Sequence, residues 1–181
     1  MLTRSRRLPL AIVLSLLVPV AAASQSAAVR KDSLEGVTNY TRVGDTVGCA
    51  GAITTASIGA IKAQGYRSIV NLRLAGEPGA DVEAQRAAAE AAGLRYHHLP
   101  FSTASPDRAV FDRFLAVTSD PANSPMFVHC ASANRVGAFW LVKRVKQDGW
   151  TVDRALEDAT AIGLTNPALR QIAIDYLASV K

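Results

Sequence analysis

The run Met126-Phe-Val-His129 constrains the fold of this chain more than any other feature. It is too short for a buried helix, and no turn residue separates it from Cys130, so it reads as a strand buried on both faces. Past a short loop, residues 136–145 form an apolar, helix-forming stretch closed by Gly149. A strand that feeds a helix through a tight loop is half of a crossover unit, and a crossover needs a parallel strand beside it. Ser68-Ile-Val-Asn-Leu72, apolar and β-branched, has the character of such a neighbour.

The rest of the chain keeps the same alternation. Residues 38–43 and 46–49 are short β-like runs separated by Gly44-Asp45, a hairpin-type turn signal. Thr54 or Thr55 caps a helix running to Ala63, which Gly65 ends, and 81–92 is an alanine- and glutamate-rich helix stopped by Gly93. A strand is expected over 95–101 and a helix over 107–117, with Ser105 as its cap and Asp107 in its first turn. Two further helices, 152–162 and 167–180, complete the pattern. Strands separated by helices of about a dozen residues imply an α/β fold of three layers, α-β-α, around a central, mainly parallel sheet. Ligands of such sheets sit beyond the carboxyl ends of the strands, and Cys130 falls at that edge. Phe139, Trp140 and Leu141 read as core filler, and Gly137 as the residue that lets its helix approach the sheet closely.

Residues 1–23 have the three parts of a secretory signal: Arg4, Arg6 and Arg7, then an apolar stretch, then Ala21-Ala22-Ala23. The apolar stretch is shorter than the ~20 residues that span a bilayer, so no retained membrane span is expected. Removal of this segment leaves seventeen basic residues against fifteen acids, which argues against a nucleic-acid partner. The expected organisation is a signal peptide over 1–23, a loosely held leader over 24–36 and one domain over 37–181, periplasmic or secreted and monomeric. Ser5-Arg6-Arg7-Leu8 leaves the choice between the general and the twin-arginine export routes open.

The loop between strand and helix reads His129-Cys-Ala-Ser-Ala-Asn-Arg135. Its amides and the helix's positive end surround one point, an anion site that would also stabilise a thiolate at Cys130. Arg135 carries a planar fork suited to two oxygens of a phosphate or sulfate, and His129 can hydrogen-bond the backbone that shapes the loop. Cys49 is either a small buried hydrophobe or, in an exported protein, a disulfide partner for Cys130. His97 and His98 are adjacent on a strand and point to opposite faces, so they cannot share a metal, and no metal or other cofactor is called for.

Gly65-Tyr-Arg-Ser-Ile-Val-Asn-Leu-Arg73, Gly93-Leu-Arg-Tyr-His-His-Leu-Pro100 and Val128-His-Cys-Ala-Ser-Ala-Asn-Arg-Val-Gly137 together resemble the beta-lactamase-hydrolase-like branch of the dual-specificity cysteine phosphatases. The resemblance implies a phosphorylated substrate, attack by the Cys130 thiolate and a phosphocysteine intermediate. It places His129, Ala131, Ser132, Ala133, Asn134 and Val136 around the phosphate, with Arg135 stabilising its oxygens. It also points to Asp107 as general acid. Glu77, in the Gly76-Glu77-Pro78-Gly79 loop, is a second candidate for that role, with a solvated loop charge as the preferred reading. Three positions depart from the wider superfamily: four residues rather than five separate Cys130 from Arg135, Ala133 stands where glycine is usual, and Val136 stands where a hydroxyl is usual. These departures leave two alternatives, an impaired anion-binding or redox-sensing pseudophosphatase and a rhodanese-like sulfurtransferase.

Overall fold

The computed structural model describes residues 28–179, so the signal-peptide stretch at 1–23 lies outside the described residues. Six strands, β1 (Val29–Lys31), β2 (Thr41–Val43), β3 (Val47–Ala50), β4 (Ser68–Asn71), β5 (Arg95–His98) and β6 (Met126–His129), form one sheet in the order β1-β2-β3-β6-β4-β5. β3, β6, β4 and β5 run parallel, while β1 and β2 close one edge antiparallel. β6 lies between β3 and β4, with Val128 opposite both Cys49 and Val70. Its residues are fully buried, as its uninterrupted apolar run requires.

Side chains alternate across the sheet, and so do the two cores. Met126, Val128 and Cys130 join the larger cluster, while Phe127 joins the smaller one. The larger cluster is covered by α3 (Ala109–Ser119), α4 (Asn134–Lys146), α5 (Val152–Ile162) and α6 (Pro167–Ser179), and the smaller by α1 (Ile58–Ala63) and α2 (Val82–Ala91). This is the three-layer α-β-α arrangement expected from the sequence. Helix α4 is its axis, with Phe139, Trp140 and Leu141 all buried. Phe139 stacks on Phe111 at 4.3 Å and meets Phe101 and Phe114 edge-on. Burial of a ring of this size contributes roughly 1.5–3 kcal/mol, which fixes the helix that follows the cysteine loop.

Several sequence expectations need correction. Within the expected leader, Val29–Lys31 pairs along β2, because that edge offers unpaired backbone groups and Val29 packs on the larger core. Lys31 Nζ ties this strand to Asn39 Oδ1 (2.8 Å) and Thr41 Oγ1 (3.1 Å). β5 stops at His98, before Pro100, although Leu99 and Phe101 still donate their amides to Asn71 and Leu72. Ser105 does not cap α3; its own amide donates to Ser102 Oγ, and Asp107 Oδ1 takes the Ala109 amide at 3.0 Å. Gly137 serves helix–helix rather than helix–sheet packing. A Cβ there would lie 2.7 Å from the Ala159 carbonyl oxygen and 2.8 Å from Leu164 Cβ.

Candidate active site

The loop that follows β6 is tied down from outside its ring. The Ala131 carbonyl accepts the Ala52 amide (3.0 Å) and the Ser132 carbonyl accepts Asn39 Nδ2 (3.1 Å). Asn134 Oδ1 accepts the amides of Thr165 and Asn166 at 2.8 and 2.7 Å, while its Nδ2 donates to Ser132 Oγ. With α4 starting at Asn134, two residues earlier than the sequence suggested, Arg135 falls in its first turn. The amides of that turn have no partner within the helix, and the helix dipole adds positive potential to the loop.

Ala133 has φ 72°, a left-handed conformation that costs an L-residue about 1–2 kcal/mol. The alanine fits because the facing position is Gly163; a Cβ on Gly163 would stand 3.0 Å from Ala133 Cβ. Ala133 and Val136 are both fully buried in the larger core. Their expected role around a phosphate is therefore confined to backbone amides, since their side chains face inward.

Arg135 is the best-held side chain of the site. Nη1 donates to the carbonyls of Leu72 (3.0 Å) and Phe101 (3.1 Å) and to Glu77 Oε1 (2.6 Å), while Nη2 donates to Glu77 Oε2 (2.8 Å). The guanidinium also interacts directly with Cys130. Burial works against the Arg135 charge, but the bonds to Glu77 and the nearness of Cys130 outweigh it and raise its pKa. Cys130 and Arg135 are thus brought together, as the loop pattern required.

Glu77 is not a solvated loop charge. Besides Arg135 it takes the Leu74 amide (2.9 Å) and Arg73 Nε (3.2 Å), and its side chain is 21% exposed. Burial pushes its pKa up, yet these donors prevail and hold it at about 2. Arg73 is the residue beside the site to which the sequence reading gave no role. Almost fully buried, it donates to the carbonyls of Gly79 (2.8 Å) and Pro78 (2.6 Å) and so shapes the loop that presents Glu77. The available signal was the Arg73/Glu77 spacing of four residues across a glycine- and proline-rich turn.

The structure does not bring Asp107 to this site. Its carboxylate caps Ala109 and pairs with Arg113 at 3.0 Å in a solvent-exposed position, and the Arg113 bond is the main cause of its lowered pKa. His129 is fully buried on the face of β6 opposite Cys130, and neither ring nitrogen has a hydrogen-bond partner among the described residues. Burial drives its pKa down to about 3, so it is neutral, and it contacts neither pocket nor solvent. The neighbouring Cys130 backbone acts in the opposite direction, favouring the charged ring, but burial prevails. His97 and His98 do diverge, to Asn123 Oδ1 (3.0 Å) and the Arg73 carbonyl (2.8 Å). Both cysteines are free thiols, and burial raises the Cys49 pKa far above its ordinary value.

Above the loop lies a cavity of about 290 Å³ walled by Leu74, Phe101 and Leu169 on its apolar side, and by Ser132, Asn134 and Arg135 on the loop side. Cys130 is 1% exposed, packed in the larger core, and is not among the residues that line this cavity.

Comparison with known proteins agrees with this geometry. Residues 39–147 match the family described as beta-lactamase hydrolase-like protein, phosphatase-like domain. Over 89 residues the chain is 38% identical to the beta-lactamase hydrolase-like protein of Xylella fastidiosa, covering 45% of this chain and 19% of that protein. The chain thus spans about a fifth of the length of that relative. TpbA of P. aeruginosa has the same fold, with a TM-score of 0.63 at 20% identity over 86% of this chain and 91% of its own. The same protein in complex with pTyr gives a TM-score of 0.57 at 19% identity over 84% and 99%. The core catalytic domain of a PP-IP phosphatase from S. cerevisiae gives 0.63 at 16% identity over 80% and 88%.

Proposed function

Because the chain belongs to the family of beta-lactamase hydrolase-like phosphatase-like domains, we propose that it is a phosphoric monoester hydrolase acting through a Cys130 thiolate and a phosphocysteine intermediate. The observation that carries this reading is the Arg135 fork, clamped by Glu77 beside Cys130 at the first turn of α4. In this mechanism the thiolate attacks phosphorus in line, so that the S–P bond forms as the P–O bond to the organic group breaks and that oxygen leaves, taking up a proton. Arg135, together with the loop amides, takes the equatorial oxygens as charge shifts onto them. Water then attacks the phosphocysteine and releases phosphate. Binding of pTyr by TpbA supports a phosphorylated aryl group as one substrate type.

Reduced protein should hydrolyse a generic aryl phosphate without added metal, and Cys130→Ser and Arg135→Ala should each abolish turnover. No hydrolysis anywhere between about pH 5 and 8 would count against the proposal. A second reading, anion binding without turnover, draws support from the Glu77 clamp, which already neutralises Arg135. Calorimetry that finds phosphate bound by a protein without hydrolytic activity would favour it. We further propose that residues 1–23 direct export to the periplasm or beyond and that the working domain begins near β1 or β2. N-terminal sequencing of the protein from its native compartment tests the cleavage.

A further inference from the structure

We propose that Arg73 is a second cation of the phosphate site. It touches no substrate, but by sharing Glu77 with Arg135 it leaves these three side chains with a surplus positive charge that an oxyanion in the loop meets. The proposal rests on the phosphatase reading above only in taking the cysteine loop as the place where phosphate binds. Alone, the Arg135–Glu77 pair carries no net charge, and a neutral pair offers an incoming phosphate dianion little attraction. Glu77, however, does not belong to Arg135 alone. Its Oε2 takes Arg135 Nη2 at 2.8 Å and Arg73 Nε at 3.2 Å, while its Oε1 takes Arg135 Nη1 at 2.6 Å. Among the described residues neither guanidinium has another carboxylate partner. Two permanent positive charges therefore share one negative charge, since an arginine side chain does not deprotonate in a protein.

The burial of Arg73 makes its charge count. The residue is 4% exposed, in surroundings where solvent ions screen a charge far less than at the surface. Its remaining contacts are with the carbonyls of Gly79 and Pro78. Two carbonyls need donors and not a charge, and a neutral side chain would satisfy them without the cost of burying a guanidinium on a shared counter-ion. The surplus charge lies beside the loop. Arg135 lines the cavity next to Ser132 and Asn134, and Arg73 lines a second cavity, of about 430 Å³, next to Ala131 and Thr54. The two cations thus border different stretches of the same loop. Burial first, and then the charges of Arg73 and Arg135, lower the pKa of His129, the residue before Cys130, so both fields extend to the foot of the loop.

Calorimetry with inorganic phosphate on the reduced mature protein, beside kcat/KM on an aryl phosphate, tests the proposal. Arg73→Gln keeps a donor for the carbonyls and removes the charge, whereas Arg73→Lys keeps the charge and loses the planar fork. The Gln variant should bind phosphate about tenfold or more weakly, the scale of one unit charge acting over roughly 8 Å of partly screened protein, while the Lys variant stays within about threefold of the parent. A second pair leaves the buried arginine in place. Thr54 is exposed, lines the same cavity as Arg73, and caps the short turn Thr55–Ser57 by accepting the Ser57 amide at 3.2 Å. Asp and Asn both serve as helix caps, so Thr54→Asp and Thr54→Asn should fold alike. The Asp variant, which brings a carboxylate toward Arg73, should bind phosphate at least about twofold more weakly than the Asn variant. A Gln variant as tight as the parent, a Lys variant as weak as the Gln variant, or equal affinities in the Thr54 pair overturns the proposal and leaves the phosphatase reading intact. A parent protein that neither binds phosphate nor hydrolyses an aryl phosphate overturns both.

Discussion

Replacing Glu77 by Gln removes one charge and little volume, and its consequence can be worked out from the clamp. The carboxylate receives Arg135 at 2.6 and 2.8 Å, the Leu74 amide at 2.9 Å and Arg73 at 3.2 Å. These contacts, against the opposing effect of burial, lower its pKa from 4.5 to about 2. At ~1.36 kcal/mol per unit, and allowing for the fifth of the side chain that water still reaches, the ionised form contributes roughly 2–3 kcal/mol to folding. Because the folded pKa is the depressed one, this stabilisation is fully present above pH 4.5 and is lost as pH falls through about 2. Urea unfolding of Glu77→Gln beside the parent protein should show a gap of about 2–3 kcal/mol at pH 7 that narrows below pH 4.5 and nearly closes at the acid limit. A gap under about 0.5 kcal/mol at neutral pH, or one that stays constant into acid, would refute the assignment of the clamp to this charge.

Three further outcomes are expected. Ala133→Gly relieves about 1–2 kcal/mol of left-handed strain but gives up ~0.8 kcal/mol of buried methyl and adds unfolded-chain entropy, so its stability by thermal or urea unfolding should stay within about 1 kcal/mol of the parent. Asp107→Asn should leave kcat within about threefold and the pH–rate profile in place, since it removes a surface pair and not a proton donor; a loss of ~10² or more would restore its catalytic role. Phe139→Ala should cost about 3–5 kcal/mol in urea unfolding, because Phe101, Phe111 and Phe114 all close on that ring.

Periodicity exposed the layers and the edge at which the site lies, because burial on both faces of β6 requires an unbroken apolar run, and the turn residues mark where each element stops. The meeting of Cys130 with Arg135 was legible for the same reason: a strand, a short loop and a helix leave the pair little choice of position. The environment of the carboxylates was not. Glu77 and Asp107 each sit in a loop among small residues, and their difference arises from Arg73 and Arg135 converging on one and Arg113 alone meeting the other. That convergence depends on β4 and β6 lying side by side, a long-range fact that no local pattern carries. The strand at Val29–Lys31 was missed because its pairing is decided by the open edge of β2 rather than by its own composition. The placement of His129 could have been read from alternation, since it lies one residue before Cys130 and so faces the opposite core.

Rapid acid quenching of the reduced protein during turnover of an aryl phosphate, followed by peptide mass spectrometry, tests the central claim most directly. A phosphoryl group should be found on the peptide containing Cys130 in the parent protein and on no peptide of Cys130→Ser. Turnover with no adduct on Cys130, or an adduct carried by another side chain, would contradict a phosphocysteine mechanism in this loop.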